Sequence, residues 1–304
     1  MFCLPPSAMK SPLLLALPFL AAALPASAIT RTWDDGGADD NFNNPANWNP
    51  TGAPADGDDL VFPASTAAST VNNNLTGRTF GSLTIQKGIT IAGNGFTLTG
   101  GLTASGSGVV RSEVNIDANI TLGADQTFTC TTGSLVFGGN VAFGARTLTV
   151  SSGRTVTFQG LTGSSTAGSR LIKTGTGVLR LDTSAIFVTN QPFTLSTGTL
   201  DVDGFLQTPL TMTGGTLTGE GSVGSGLDAS GGDIVPDAAD LSVSGATTLR
   251  GNVHLRVTLL GASNESQLSC GGAVTIQDQA TLEVLTSAYP PVRGDVFQLL
   301  QKSP

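Results

Sequence analysis

From residue 65 onward the chain consists of short segments in which apolar and polar residues alternate. Ser82-Leu83-Thr84-Ile85-Gln86, Phe96-Thr97-Leu98-Thr99, Leu135-Val136-Phe137, Thr147-Leu148-Thr149-Val150 and Thr155-Val156-Thr157-Phe158 all have period two. That period puts every second side chain on one face of a β-strand. Turn formers separate the segments, as in Gly93-Asn94-Gly95 and Ser151-Ser152-Gly153. Helical periodicity is almost absent, which leaves sandwich, barrel and solenoid as all-β alternatives.

A repeat decides among them. Four segments align on a leading glycine: Gly177-Val178-Leu179-Arg180-Leu181-Asp182, Gly198-Thr199-Leu200-Asp201-Val202-Asp203, Gly215-Thr216-Leu217-Thr218-Gly219-Glu220 and Gly232-Asp233-Ile234-Val235-Pro236-Asp237. The leading glycines are 21, 17 and 17 residues apart. Unequal steps of this size fit coils whose turns vary while their strands stack. The predicted fold is a right-handed parallel β-helix, or β-solenoid, over residues 65–304, with Leu179, Leu200, Leu217 and Ile234 in one inward column. At ~20 residues per coil and ~4.8 Å per rung, the rod would be roughly 55–60 Å long.

The stretch 29–64 differs in composition. It holds both tryptophans, Trp33 and Trp48, with Phe42, Phe62 and many Asp, Asn and Pro residues. It reads as a cap whose aromatic rings cover the first coil. Val296-Phe297-Gln298-Leu299-Leu300 reads as a last strand with no matching cap. An open sheet edge invites pairing. Two expectations follow: end-to-end association through the C-terminal edge, or a chain that is a fragment of a longer protein.

Residues 1–28 read as an export signal. Lys10 supplies the positive charge, Leu13 to Leu24 is the apolar run, and Ala26-Ser27-Ala28 is a small-x-small cleavage site. About 12 apolar residues are too few to cross a bilayer, which needs ~20. The mature protein is expected to start at Ile29, to carry no transmembrane anchor, and to be secreted or held at the cell surface. Met9, just before Lys10, reads as a better initiator than Met1. Cys3 leaves with the signal. Cys130 and Cys270 each share a strand face with an apolar neighbour, Phe128 and Leu268. They read as free, buried thiols several coils apart, beyond the ~7 Å Cα reach of a disulfide.

The composition narrows the partners. Of 304 residues, 14 are Lys or Arg and 22 are Asp or Glu, a net charge of -8. So acidic and sparsely charged a chain does not track a phosphate backbone, which excludes nucleic acid. An extracellular surface, a matrix or a polysaccharide remains.

Leu171-Ile172-Lys173-Thr174-Gly175-Thr176-Gly177-Val178-Leu179-Arg180-Leu181 resembles the "K-T-G-x-G-x-L-x-L" strand of the autotransporter-associated β-strand repeat family of bacterial exported proteins. Thr197-Gly198-Thr199-Leu200-Asp201-Val202 is similar to its following "G-x-L-x-V" strand, and Gly214 to Val223 to its "L-x-G-x-G-x-V" continuation. Asn47-Trp48, Gly57 to Phe62 and Gly294 to Leu300 also resemble segments common in such proteins. The clear match covers about a quarter to a third of the chain. The resemblance implies a β-helical passenger displayed or released outside a bacterial cell. The C-terminal membrane barrel of that family, with its several ~10-residue strands, has no counterpart in this sequence.

Candidate chemistry is sparse. The single histidine, His254, alternates with Val253, Leu255 and Val257, so it and Arg256 are expected on the outer face. One histidine and two distant cysteines make neither a nucleophilic triad nor a zinc site. The sixth position of the repeat is acidic each time: Asp182, Asp203, Glu220 and Asp237. In register these would form a carboxylate ladder at ~4.8 Å, either splayed into water or bridged by calcium. Arg180 would face Asp201 across adjacent coils. Asp201 and Asp203 share a face at roughly 6.6–7 Å, near the spacing of an inverting glycosidase pair. With Arg180 they are the catalytic candidates of a polysaccharide-cleaving lyase or hydrolase. Asp34, Asp35, Asp39, Asp40, Asp56, Asp58 and Asp59 form a second acidic cluster, expected in hydrated cap loops. The primary expectation is a non-enzymatic extracellular scaffold or adhesive surface with no cofactor.

Overall fold

A computed structural model describes residues 28–106, 112–238 and 240–302. The export segment, Ala28 excepted, lies outside the described residues, with Cys3 and Met9. The described chain is a parallel β-solenoid, and its only helical element is a 3-10 turn at Pro45–Asn47. Each coil contributes a strand segment to each of three walls; in two late coils one continuous strand, Leu227–Pro236 or Thr247–Gly261, serves the first and second walls together. The first wall opens with Asp59–Phe62, Leu83–Ile85 and Leu102–Ser105. The second opens with Thr70–Asn73, Thr90–Gly93 and Glu113–Ile116. The third wall is an 11-stranded sheet that starts at Thr79–Phe80 and ends at Leu300–Lys302. Eleven rungs at ~4.8 Å make a stack of about 50 Å.

The register follows the alternating pattern. On the second wall Leu179 pairs with Leu200, Leu200 with Leu217, and Leu217 with Ile234. The column extends below through Val156, Leu135 and Val114, and above through Leu255 to Leu282. The first wall carries its own column, from Leu60 through Leu83, Leu102, Phe128 and Val150, and on through Leu195, Met212, Ala229 and Leu249. Phe137 stacks on Phe158 with ring centroids 4.9 Å apart, because the two are register partners. Each aliphatic side chain sits on its counterpart one strand away. One coil alone could not bury its apolar face; a stack buries them all.

The N-terminal stretch caps the stack as expected. Trp33, Phe42, Trp48 and Phe62 are at most 1% exposed and form one cluster, with the two tryptophans edge-to-face at 5.0 Å. Trp48 Nε1 donates to Phe42 O at 3.0 Å, and Trp33 Nε1 to Asp35 Oδ1 at 2.7 Å. The parallel stack, however, already includes residues placed in the cap. Asp59–Phe62 pairs in parallel with Leu83–Ile85, and Thr30–Thr32 with Asp59–Val61. Alternating Leu60 and Phe62 supply the inward face that makes this a rung.

The last strand lies beyond the one predicted. Residues 296–299 form no strand; the final one is Leu300–Lys302. Side chains of the preceding coil have taken the backbone groups a strand would need. Gln298 N donates to Glu265 Oε1 at 2.7 Å, and Gln298 O accepts from Gln267 Nε2. Phe297 turns to Tyr289 instead, at 6.3 Å. Both thiols are free and buried, Cys130 on the first wall and Cys270 on the third.

One position in the first-wall column breaks the rule. Between Val150 and Leu195 stands Lys173, with no exposed surface. Its Nζ donates to the carbonyls of Thr174 and Gly175 at 2.8 and 2.9 Å. The long unbranched chain thus turns at the corner between walls and ties the tight turn above it. Gly198 leads the next coil with φ +72 and lies against this corner, where a methyl group would overlap Gly175 O, Gly177 O and Lys173 Nζ. Met212 and Gly232 repeat the arrangement two coils on, with Met212 Cε under Gly232 at φ +96. Gly198, Gly215 and Gly232 are therefore required by close coil contact as well as by backbone conformation.

Burial pushes the Lys173 ammonium down to about 8 from its ordinary 10.5. The unfolded chain then holds the proton more tightly, so the contribution of this group to stability grows as pH rises from about 8 to 10.5. Urea melts should show wild type gaining on Lys173→Met by about 2 kcal/mol between pH 7 and 10; a difference that does not move with pH would refute this account. In the same assay Leu200→Ala should cost about 2–5 kcal/mol. Gly198→Ala should cost about 1–3 kcal/mol more than Gly77→Ala, which has a positive φ but open space.

Candidate functional site

The outer face of the second wall carries the charged residues that the repeat singled out. Arg180 and Asp201 are register partners, and Asp201 in turn pairs with Thr218. Asp203 follows the strand Thr199–Val202, and Asp237 follows Leu227–Pro236. Asp201, Asp203 and Asp237 each place one oxygen within 4.8 Å of the others. Arg180 enters the group by hydrogen-bonding Asp203 through Nη2 and approaching Asp201 Oδ2 with Nε at 3.7 Å.

The four-membered ladder of Asp182, Asp203, Glu220 and Asp237 is only half present as a cluster. The backbone register is correct, but the side chains diverge. Asp182 accepts from its neighbour Thr183 N at 2.8 Å and from Gln159 Nε2 at 3.1 Å, and these bonds hold its carboxyl below the usual range. Glu220 is exposed and outside the cluster. Asp237 accepts from Thr218 Oγ1 at 2.9 Å. The strand residue Asp201 takes the vacant role. Its Oδ1 is buried with no hydrogen-bond partner. Burial first, and the neighbouring charge of Asp203 second, push its carboxyl up to about 6.

Chemically, the group is three close carboxylates, two of which, Asp201 and Asp203, meet one guanidinium. Like charges this close need compensation. Arg180 supplies part of it, through its contacts with Asp203 and Asp201. Oxygens within 4.8 Å also fit the outer limit for two ligands on one calcium ion at 2.3–2.6 Å each. Asp201 and Asp203, expected at roughly 6.6–7 Å along the strand, bring oxygens within 4.8 Å of each other, as both side chains turn to Arg180.

The acidic residues of the cap serve the backbone. Asp58, 2% exposed, accepts from Ile29 N, Arg31 Nε and Ala55 N at 2.9–3.1 Å. Asp35 accepts from Ala67 N and Ala68 N of the next turn. These two carboxylates pin the first rung to the stack, where hydrated loops were expected. His254 faces outward as predicted, with Nδ1 2.7 Å from Thr281 Oγ1 of the following coil. Its neighbour Arg256 bridges Asp233 and Glu283, on the coils below and above.

Sequence reasoning missed a second surface feature. Leu161, Ile186 and Phe205 are register partners on the outer side of the third wall, and they are 51%, 45% and 36% exposed. In Gly160-Leu161-Thr162-Gly163 the alternation suggests Leu161 inside. Instead Thr162 is fully buried, because it continues the column Ile120, Val141, Thr162, Phe187. Neighbouring coils set the register here, and the local pattern does not show it. On the outer side of the first wall the register aligns hydroxyls: Thr127 with Thr149, Thr194 with Thr211, and Thr248 with Thr275.

A search of protein-family models, curated proteins and solved structures returns no match to this chain. Among the described residues, no helix is long and apolar enough to cross a membrane.

The raised carboxyl of Asp201 has a signed consequence. The folded state holds this proton up to about 6, the unfolded state only to 3.8, so stability from this group is full below 3.8 and is lost as pH rises through about 6. Asp201→Asn should therefore raise stability at pH 7 by about 1–3 kcal/mol and flatten the profile between pH 4 and 6. Denaturant melts across that range check it; destabilisation at pH 7 would show that the pair with Arg180 outweighs the burial of charge.

Proposed function

We propose that this chain is an exported bacterial β-solenoid, similar in kind to an autotransporter passenger, that works outside the cell as a structural or adhesive scaffold. The observation that carries this reading is the outward apolar column of Leu161, Ile186 and Phe205. Three stacked coils hold these side chains in the open, on a rod whose inner columns are otherwise filled. Exposed apolar groups held in a row are costly to leave in water and suit contact with a surface or partner. The rod supports the role mechanically. Its strands pair with neighbours on both sides, so a load is shared by many backbone hydrogen bonds. The small-x-small site ending at Ala28 supports export.

A second reading rests on Asp201. A carboxyl near 6 beside Asp203, with a guanidinium next to both, is the kind of unequal pair that acid–base cleavage of a polysaccharide uses. Against it, Arg180 is already engaged by the two carboxylates that a uronate would have to displace. We therefore place scaffold ahead of lyase or hydrolase.

Expressed in a bacterial host from its own start, the chain should accumulate outside the cytoplasm with Ile29 at its N-terminus, read by N-terminal sequencing. The secreted protein should bind cells or matrix, and Ile186→Lys with Phe205→Lys should reduce that binding at least tenfold while leaving the melt unchanged. Incubation with a panel of acidic polysaccharides should yield no new reducing ends or unsaturated products. Products that disappear in Asp201→Ala would reverse the order of the two readings.

A further inference from the structure

Two hollows lie on the outer side of the first wall. The lower one, about 490 Å³, is lined by Thr99, Gly100, Asp125, Thr127, Thr147 and Thr149. It arises where side chains are missing. Gly101 precedes Leu102, the register partner of Phe128, so the rung below Thr127 is bare at that place. Gly100 beside it lies against the coil beneath, where a methyl group would come within 3.1 Å of Gly81 O. Floor and rim are fixed. Gln126, 6% exposed, accepts from Gly101 N with Oε1 at 3.1 Å and donates to Leu98 O with Nε2. The exposed Asp125 accepts from Thr147 N with Oδ1 at 2.9 Å. The upper hollow, about 280 Å³, has Thr211, Asp228, Thr248 and Arg250 in its lining. Clefts of about 300–1,000 Å³ hold small ligands or a few units of a polymer.

Both hollows sit on one file of outward residues. It runs from Thr127 through Thr149, Ile172, Thr194 and Thr211 to Thr248, in unbroken register, with Asp228 between the last two. Six steps of ~4.8 Å make a line of about 29 Å along the rod axis. The hydroxyls of Thr127, Thr149, Thr211 and Thr248 have no protein partner among the described residues. Each therefore has a donor and acceptor lone pairs to offer. Outward threonines of the second wall and its corner differ: Thr197 and Thr218 donate to Gly175 O and Val235 O. Among the described residues, neither hollow is lined by an unpaired cation, since Arg250 donates to Asp228 Oδ2 at 3.0 Å. With a net charge of -8 on the chain, such a wall repels an acidic polymer and suits an uncharged one.

We propose that the first wall binds a linear, uncharged polysaccharide, laid along the rod axis from the lower hollow to the upper and held without cleavage. Sugar hydroxyls donate to the Asp125 carboxylate and exchange hydrogen bonds with the four unpartnered threonines. Threonine methyls and Ile172 meet the C–H faces of the rings. A hexose unit is about as long as one rung is high, so successive sugars meet successive rungs. This site is separate from the ridge of Leu161, Ile186 and Phe205 on the third wall, and neither depends on the other.

Affinity electrophoresis of the full chain in gels containing xyloglucan, glucomannan, mixed-linkage β-glucan or dextran tests this, with polygalacturonate as the acidic control. At least one of the neutral polymers should retard the protein with a Kd of about 100 µM or tighter, and polygalacturonate should not. Thr127→Val with Thr149→Val keeps shape and strand propensity while removing two hydroxyls. It should keep the wild-type circular dichroism and bind about tenfold more weakly or worse. Of oligosaccharides cut from the retarding polymer, one of about six sugars should bind at least tenfold more tightly than one of two, because only the longer spans the file. Ile186→Lys with Phe205→Lys should be retarded like wild type, so the ridge and this wall fail or hold separately. Retardation by none of the neutral polymers, stronger retardation by polygalacturonate, unchanged binding in the valine variant, equal binding of the two oligosaccharides, or loss of retardation in the ridge variant would each overturn the proposal.

Discussion

The contact of one coil with the next is the constraint on which everything else in this molecule depends. An inward side chain must sit on its register partner ~4.8 Å away, and that partner on the next. The requirement fixes strand direction, because only parallel strands bring equivalent positions together rung after rung. It also explains why the coils differ in length without disturbing the core. Extra residues collect in the turns between walls, while the leucines, valines and phenylalanines of the columns keep their alignment. Stability is then a sum of neighbour terms, and a single poor rung weakens two interfaces rather than the whole fold.

The corners are where that rule meets its exceptions, and the exceptions are chemically specific. Gly198 and Gly232 leave room for a long side chain from the coil below, Lys173 in one case and Met212 in the other. Methionine fills such a place with apolar volume. Lysine fills it with a chain of similar length, but must then satisfy an ammonium group away from water, and does so with two carbonyls of its own turn. A buried cation with neutral acceptors is less favourable than methionine at neutral pH, and its pKa reports that cost. What lysine adds is register. Its Nζ reaches those carbonyls only when the turn is closed in one way, whereas an aliphatic chain would accept several.

Much of this was legible in the sequence, and the illegible parts have a common cause. The column of Leu179, Leu200, Leu217 and Ile234, the pairing of Arg180 with Asp201 and the buried thiols follow from period two plus one repeat, and the aromatic cap from composition. Period two assigns each strand residue to a face, and the repeat aligns strands with one another. The failures lie where direction is chosen by contacts outside the segment. Asp182 and Glu220 occupy the expected rungs, but Thr183 and Gln159 draw the Asp182 carboxylate away and Glu220 lies exposed outside the cluster. Leu161 points outward because Val141 and Phe187 demand Thr162 inside. Residues 296–299 have a strand composition, but Glu265 and Gln267 hold the backbone of Gln298 in another conformation. Backbone register travels through sequence repeats; side-chain direction after a strand does not.

The same reasoning separates the acidic cluster from the apolar ridge as features of function. Asp201 and Asp203 meet a guanidinium that the fold provides at the matching rung, with Asp237 close to both, so part of the charge that looks poised for chemistry is offset within the wall. Removing Arg180 would leave three close carboxylates with a strong demand for a cation, so the arginine can be read as the fold's substitute for a metal. Leu161, Ile186 and Phe205 are not compensated in this way. They lie outside a column that Thr162, Phe187 and Leu206 already fill, although the Phe205 ring also covers Gly224 of the next coil. Their row of partly exposed apolar surface is the feature on which the proposed scaffold role rests, and it is the surface that a partner would cover.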